Sequence, residues 1–247
     1  MWFGRWLWWI YLHLVANSVL AMKTMLARLR RDLRAAGSAD RARQMKAYMK
    51  SAMPFHGVPV PAVRLIAKEV FATCAFSQED WEKFMLYFWH NAEFREERYA
   101  VLYFCGDKRW TSYQRPRVIQ IYEEMIVTGA WWDYVDNLAP RVGEVLKAYP
   151  DDLRSIITSW STSSNLWLRR TSIICQLRFK NETDIPLLYS CLEASFESKE
   201  FFVQKAIGWA LREFAKTNPK EVKSYVEANV DRLSALSRRE ALKHLGG

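Results

Sequence analysis

The stretch FFVQKAIGWALR, residues 201–212, has apolar residues at the spacing of an amphipathic α-helix. Most of the chain shows the same helical spacing. Lys205, Trp209 and Arg212 fall at positions i, i+4 and i+7, so they lie on one stripe of that helix. A second stripe is apolar and consists of Phe202, Ala206 and Ala210. The stretch therefore predicts a helix with one face in a core and another that carries a tryptophan between two cations.

The same helical period continues along residues 22–247, with short intervals between predicted helix ends. Alternating strand patterns of useful length and hairpin signals such as Asn-Gly are missing from the sequence. Helix boundaries are predicted at residues with capping, turn or helix-breaking character: Ser38, Pro61, Ser77, Gly106, Gly129, Pro140 and Pro150. About a dozen helices result, in pairs that recur at roughly 35–40 residues, the range of HEAT and armadillo repeats. This organisation predicts an all-α, HEAT-like superhelix (a solenoid) of a single domain, with a compact helical bundle as the alternative.

Residues 1–21, MWFGRWLWWIYLHLVANSVLA, are interpreted as a separate hydrophobic extension that precedes a HEAT-like domain of residues 22–247. One early arginine, an apolar run and a small-residue ending match the outline of a secretory signal peptide. A short membrane anchor is a second interpretation, which the polar residues within the run weaken. We favour a third, in which translation starts at Met22 or Met25.

Positive charge is concentrated near the N-terminal end of the chain. The formal net charge is +9, and residues 1–50 contribute +8 of it through ten Lys and Arg against two Asp. Such a region favours a polyanionic partner, either nucleic acid or an anionic membrane, over a merely solvated helix face. Half of the residues are hydrophobic, which excludes a disordered chain, and the 12 tryptophans offer flat faces to bases and sugars.

The four cysteines and four histidines have no spacing typical of a metal site. Each cysteine lies in an apolar helical context, so free buried thiols in a reducing compartment are predicted. We expect neither a metal ion nor another cofactor.

The hexapeptide WWDYVD, residues 131–136, is unusual for simple packing. Trp132 and Asp136 lie at i and i+4, on one helix face, while Trp131 lies on an adjacent face that can serve the core. A carboxylate beside a large aromatic is a poor choice for a core unless it is paired. Asp133, near the predicted helix start, can act as a cap. From the residues alone, two core tryptophans and a surface Asp136 are the favoured interpretation.

The tetrapeptide WLRR, residues 167–170, carries adjacent arginines that point in different directions around a helix. One of them can face a DNA phosphate, for which guanidinium is well suited, and the other can face solvent. The alternative is a pair of ordinary surface arginines. The stripe of Lys205, Trp209 and Arg212 has a similar alternative, in which a packed tryptophan is flanked by extended cations.

Five segments, in the same order along the chain, resemble the AlkD family of DNA alkylation repair glycosylases. They are Ala47–Val58, Trp131–Asp136, Trp167–Arg170, Phe201–Glu213 and Leu236–Ala241. Each segment is weakly specific by itself, whereas five in order, with a matching distance from Arg170 to Trp209, are highly specific. The resemblance covers about residues 25–245.

The resemblance implies a HEAT-like superhelix that removes 7-methylguanine and 3-methyladenine from duplex DNA while the damaged base stays stacked. It implies catalysis by Asp136 and contact with the lesion and its deoxyribose by Trp132 and Trp209. Residues expected at the DNA backbone are Arg170, Arg212, Tyr48 and, on the same stripe as Trp209, Lys205. No lysine stands at the matched catalytic position, so a monofunctional glycosylase is expected. We also expect an intracellular monomer without a stable protein partner.

Two other functions remain open from the sequence. One is a HEAT-like protein that binds branched or damaged DNA without catalysis, and the other is a scaffold for protein partners. Pro59 stands where a polar residue is expected in some relatives, so a lesion contact from the adjoining turn is also open.

Overall fold

The computed structural model describes the backbone of residues 3–245 and the side chains of residues 19–245. Across these residues the regular structure is helical and includes no strand, which confirms the predicted all-α class. The α-helices of this part of the chain are α1 (Phe3–Ala36), α2 (Ala39–Met49), α3 (Val60–Val70), α4 (Gln78–His90), α5 (Arg95–Cys105), α6 (Ile119–Gly129), α7 (Trp132–Ala148), α8 (Pro150–Ser161), α9 (Leu166–Ile174), α10 (Ile185–Glu193), α11 (Phe201–Ala215), α12 (Pro219–Ala228) and α13 (Ala235–Ala241).

The chain divides into two compact units, Met1–Arg109 and Trp110–Gly247. In the second unit, α7, α9, α11 and α13 pack against one another in succession and form one layer. Helices α8 and α10 pack together in another layer, which α12 extends through the stacked rings of Tyr189 and Tyr225, 3.8 Å apart. Helices of the first layer begin at intervals of 34, 35 and 34 residues, so the predicted repeat is confirmed with a slightly shorter period.

In the first unit, α1, α3 and α5 contact one another and α4 packs against α1 and α5. The loop before α3 is anchored by the buried carboxylate of Glu96, which accepts backbone N–H bonds from His56, Gly57 and Val58 at 3.0, 2.8 and 3.1 Å. Gly57 has φ +82°, a left-handed conformation that favours glycine. The N–H groups of this turn are therefore engaged inside the protein, and Pro59 serves as the N-cap residue of α3.

A second buried carboxylate, that of Glu97, lies beside the first and binds Arg30 and His56. The Arg30 Nε and His56 Nε2 atoms are 2.8 and 3.2 Å from Glu97 Oε1. Burial by itself raises the pKa of Glu97, but hydrogen bonds from His56, from Arg30 and from the Glu93 backbone lower it to about 2. The pair therefore fastens α1 and the loop before α3 to the start of α5.

Most predicted helix boundaries agree with the structure, and one is wrong. Ser38 and Ser77 cap α2 and α4 through their side chains, and Pro61 lies in the first turn of α3. Pro140, predicted to interrupt a helix, lies inside α7. A proline there removes one backbone hydrogen bond at a cost of about 3 kcal/mol, but α7 packs against α6, α8 and α9 along its length. The packing of α7 against these helices outweighs the helix-breaking tendency of Pro140.

Helix α1 crosses the predicted boundary between residues 21 and 22, and its C-terminal half is anchored by the buried Leu26, Leu29 and Leu33. The side chains of residues 1–18 lie outside the described residues, so the division into residues 1–21 and 22–247 stays a prediction. Within the described part of the chain, no helix is both long and apolar enough to cross a membrane.

The four cysteines, all within the described residues, form no disulfide; Cys105, Cys175 and Cys191 are buried as predicted, while Cys74 is half-buried. Among the described residues, no cluster of His, Cys, Asp and Glu has the composition to bind a metal ion.

Candidate active site

Aromatic side chains join the N-terminal ends of α7, α9 and α11. Trp131, the extended N-cap residue of α7, packs against Trp167 and Phe202 with ring centroids 5.9 and 5.6 Å away. Trp167 and Phe202 are themselves 5.2 Å apart. The packing role predicted for Trp131 is thereby confirmed. The suggested cap at Asp133 is wrong, because Trp131 occupies the N-cap position and Asp133 is buried in the first turn.

Asp136 forms a bidentate ion pair with Arg170. The Arg170 Nε and Nη2 atoms each donate to one carboxylate oxygen of Asp136 at 2.8 Å. The Asp136 side chain is 18% exposed and the Arg170 side chain is 6% exposed. Asp136 therefore retains a small open surface, while Arg170 is buried. Each residue is the fifth of its helix, which places them at equivalent positions of neighbouring repeats. The pair therefore fixes the orientation of the Asp136 carboxylate.

Arg170 also connects this pair to α11. Its Nη1 atom donates to the backbone carbonyl of Phe202 at 2.6 Å, and its Cζ atom lies 5.8 Å from the centroid of the Trp209 ring. One buried side chain thus spans three consecutive helices of the same layer. The sequence predicts that one of the adjacent arginines, Arg169 and Arg170, faces DNA. The structure instead turns Arg170 inward, while Arg169 is half-buried.

Burial sets the electrostatics of Asp136. Loss of hydration raises the pKa of the Asp136 carboxyl above its ordinary value, the Arg170 guanidinium opposes this effect, and the nearby Asp133 charge reinforces it. The direct pairing with Arg170 favours the ionised carboxylate at neutral pH. A negative charge in a partly dehydrated setting interacts more strongly with a nearby cation than one in water.

Two predicted lesion-facing tryptophans lie beside this ion pair. Trp132 begins α7 one helical turn before Asp136, on the same face, and is half-buried. Trp209 is also half-buried and contacts the guanidinium of Arg170. The structure therefore connects Asp136 and Trp209 through Arg170, which contacts both, and helical spacing places Trp132 on the same face as Asp136.

The predicted backbone cations of α11 share one carboxylate. Lys205 Nζ lies 2.9 Å from Glu240 Oε1, and Arg212 Nη1 lies 2.5 Å from Glu240 Oε2. Hydrogen bonds from Lys205 and then from Arg212 lower the pKa of Glu240 despite its partial burial. Tyr48, the remaining predicted contact, belongs to the first unit and is 78% exposed on α2.

Sequence reasoning missed the two carboxylate pairings of the candidate site, at Asp136 and at Glu240. Glu240 lies within the segment Leu236–Ala241 used for the resemblance, but no role was predicted for it. The pairing of Asp136 with Arg170 has a sequence signal, since the two residues are 34 positions apart and the repeat is 34 or 35 residues long. Oppositely charged residues one repeat apart on the packed face of a solenoid are expected to meet.

Comparisons with known proteins find both a solved structure and a family model that this chain matches. The chain is similar to a structure described as a "Predicted DNA alkylation repair enzyme from Enterococcus faecalis", with a TM-score of 0.77 and 27% identity over 85% of this chain and 97% of that one. Three solved chains match in all. Among curated proteins, none matches. The family model described as DNA alkylation repair enzyme matches residues 29–245. The chain therefore belongs to the DNA alkylation repair enzyme family, whose substrate is DNA.

Proposed function

We propose that this protein is a monofunctional DNA N-glycosylase that excises cationic alkylated purines, 7-methylguanine and 3-methyladenine, from duplex DNA. The observation that carries the proposal is the Asp136 carboxylate: Arg170 holds it in a fixed orientation, its side chain is 18% exposed, and the same guanidinium lies 5.8 Å from the ring of Trp209. A carboxylate fixed in this way is suited to a substrate on which positive charge develops.

The chemistry follows from the charge on the damaged base. Alkylation at N7 or N3 gives the base a formal positive charge, so it departs as a neutral molecule when the glycosidic bond breaks. No strong general acid is needed for that step. The electron pair of the bond leaves with the base and positive charge develops on the deoxyribose. Asp136 stabilises that sugar cation and orients the water that attacks it; as the new C–O bond forms, the water releases one proton to the solvent.

The magnitude of this stabilisation is sufficient for a catalytic role. Two opposite unit charges about 4 Å apart interact by roughly 4 kcal/mol at an effective dielectric constant near 20. That energy corresponds to a rate factor on the order of a thousand. Arg170 acts as a positioning residue in this scheme, because its guanidinium is buried against Asp136 and the Phe202 carbonyl.

The tryptophans and cations position the nucleotide. The faces of Trp132 and Trp209 pack against the deoxyribose and attract its growing positive charge. Lys205, Arg212 and Tyr48 contact the backbone of the DNA. The base stays stacked and the enzyme acts from the sugar side, so bulky cationic lesions are accepted without a base pocket. No amine takes part, so the sugar product is an abasic site without strand cleavage. The enzyme works as an intracellular monomer.

The test is release of 7-methylguanine from a methylated duplex under single-turnover conditions. Asp136→Asn is expected to lower the release rate by about a thousandfold. Glu144→Gln is a matched control, because it removes one carboxylate from the same helix, where Glu144 pairs with Arg141 near the surface. Near-normal release by Asp136→Asn contradicts the proposal, as does equal loss in both variants.

A second candidate function is binding of damaged or branched DNA without catalysis. The observation that favours it is that Arg170 engages both oxygens of the Asp136 carboxylate, as in a purely structural ion pair. On this interpretation the wild-type protein binds DNA in a salt-dependent manner and releases no base. The same release assay therefore separates the two functions.

A further inference from the structure

Helix α13 lies unusually close to α11, and the close approach depends on Gly208. A Cβ atom at this position would lie 2.4 Å from the Glu240 Cβ atom and 2.8 Å from the Ser237 carbonyl oxygen. The Ser237 hydroxyl also donates to the Gln204 carbonyl at 2.9 Å. The base of the Glu240 side chain is therefore fixed directly over α11, one residue before Trp209.

From this position the Glu240 carboxylate reaches cations on both sides of Trp209. Lys205 precedes the tryptophan by one helical turn and Arg212 follows it by three residues, and each cation binds a different oxygen of Glu240. The Glu240 side chain is 14% exposed, while those of Lys205 and Arg212 are 37% and 21% exposed. Two long side chains that are mobile in isolation are thus restrained by one anchored anion.

The pairing leaves donors available to a ligand. An ammonium group has three N–H donors and a guanidinium has five, and the carboxylate engages one nitrogen of each cation. The three side chains together carry a net charge of +1. The two cations flank Trp209 along α11, and the ring of Trp209 lies 5.8 Å from the guanidinium carbon of Arg170.

We propose that Glu240 is a positioning residue for the DNA backbone, which holds Lys205 and Arg212 on either side of Trp209 so that they bind phosphates in register with Asp136. This inference rests on the proposed function for the register with Asp136, but its electrostatic part concerns DNA binding alone. The Glu240 carboxylate weakens the overall attraction of Lys205 and Arg212 for DNA phosphates, but it holds the two cations in the positions from which they bind those phosphates.

Two substitutions separate the charge of Glu240 from its reach. Glu240→Gln raises the net charge of the group from +1 to +2, so the slope of log K against log salt is expected to steepen by about 0.9. Glu240→Asp keeps the charge but is too short to span both cations, so the salt slope is expected to stay at the wild-type value. Both variants are expected to release base roughly tenfold more slowly at saturating protein, because the backbone is no longer held in register.

Glu213→Gln is the matched control. Glu213 lies on the same helix, pairs with Lys216 at 2.5 Å and carries the same charge, but it contacts neither Lys205 nor Arg212 in any described interaction. The experiment measures binding of the full chain to an unmodified duplex at several salt concentrations and single-turnover release of 7-methylguanine. The control is expected to match the wild-type protein in both.

The results expected from Glu240→Gln, Glu240→Asp and the control together support the proposal. An unchanged salt slope in Glu240→Gln, an equal change in Glu213→Gln, or full release rates in both Glu240 variants overturns it. If the wild-type protein itself releases no base, the proposed function fails, whereas the salt slopes still decide whether Glu240 restrains a phosphate-binding group. Thermal unfolding of each variant identifies any loss of release that comes from unfolding.

Discussion

Replacement of Arg170 by glutamine is the sharpest test of how the site is built. The substitution removes three hydrogen bonds, two to Asp136 at 2.8 Å and one to the Phe202 carbonyl at 2.6 Å, and leaves the Asp136 carboxylate without its partner. Breaking a buried ion pair from one side costs about 3–5 kcal/mol. Because 18% of the Asp136 side chain is exposed, we expect the lower end, about 3 kcal/mol.

The free energy of unfolding, followed by circular dichroism in urea, measures this loss. A chain of this length loses about 2–4 °C of melting temperature per kcal/mol, so a decrease of roughly 6–12 °C is expected as well. The double variant Asp136→Asn/Arg170→Gln carries no unpaired buried charge and is expected to recover about 2 kcal/mol relative to the sum of the single changes. Additive losses, or a loss below about 1 kcal/mol for Arg170→Gln, would refute a tightly coupled pair.

Three further results follow from the structure. As the pH falls, the base-release rate is expected to decline already above the ordinary pKa of aspartate, because burial raises the pKa of Asp136. Arg170→Gln removes the opposing cation, so this decline is expected at a still higher pH, and pH–rate profiles of both proteins will measure it. Glu97→Gln is expected to lower the free energy of unfolding by about 3 kcal/mol at neutral pH, because the pKa of Glu97 is lowered from 4.5 to about 2. The stabilisation by Glu97 is fully present above pH 4.5 and is lost as the pH falls through 2. Urea titrations in which the variant is still less stable by the same amount at pH 2 would contradict this. Gly208→Ala is expected to lower the free energy of unfolding by about 1–3 kcal/mol, because the new methyl group displaces α13; an unchanged melting temperature would contradict the close approach.

Local sequence signals predicted the helices well because capping and turn residues act on their immediate neighbours. Ser38 and Ser77 cap the helices that they were predicted to begin, through hydrogen bonds within three residues. Pro140 shows the limit of such reasoning, since its effect depends on how firmly α7 is packed by other helices. Trp131 was assigned to packing by helical spacing alone, and the structure supplies its partners.

The pairings of the site depend on register between repeats, which local spacing does not contain. Asp136 meets Arg170, and Glu240 meets Lys205 and Arg212, only because consecutive helices of one layer stack at 34- and 35-residue intervals. The resemblance to a family predicts Arg170 at the DNA backbone, whereas its guanidinium is buried against Asp136. Burial of a long side chain follows from the fold and leaves no trace in the composition of its own helix.

Single-turnover release of 7-methylguanine by Asp136→Asn decides whether the Asp136 carboxylate performs the chemistry. The expected rate is about a thousandfold below that of the wild-type protein, with DNA binding retained and Glu144→Gln unaffected. Base release by Asp136→Asn at close to the wild-type rate would contradict it.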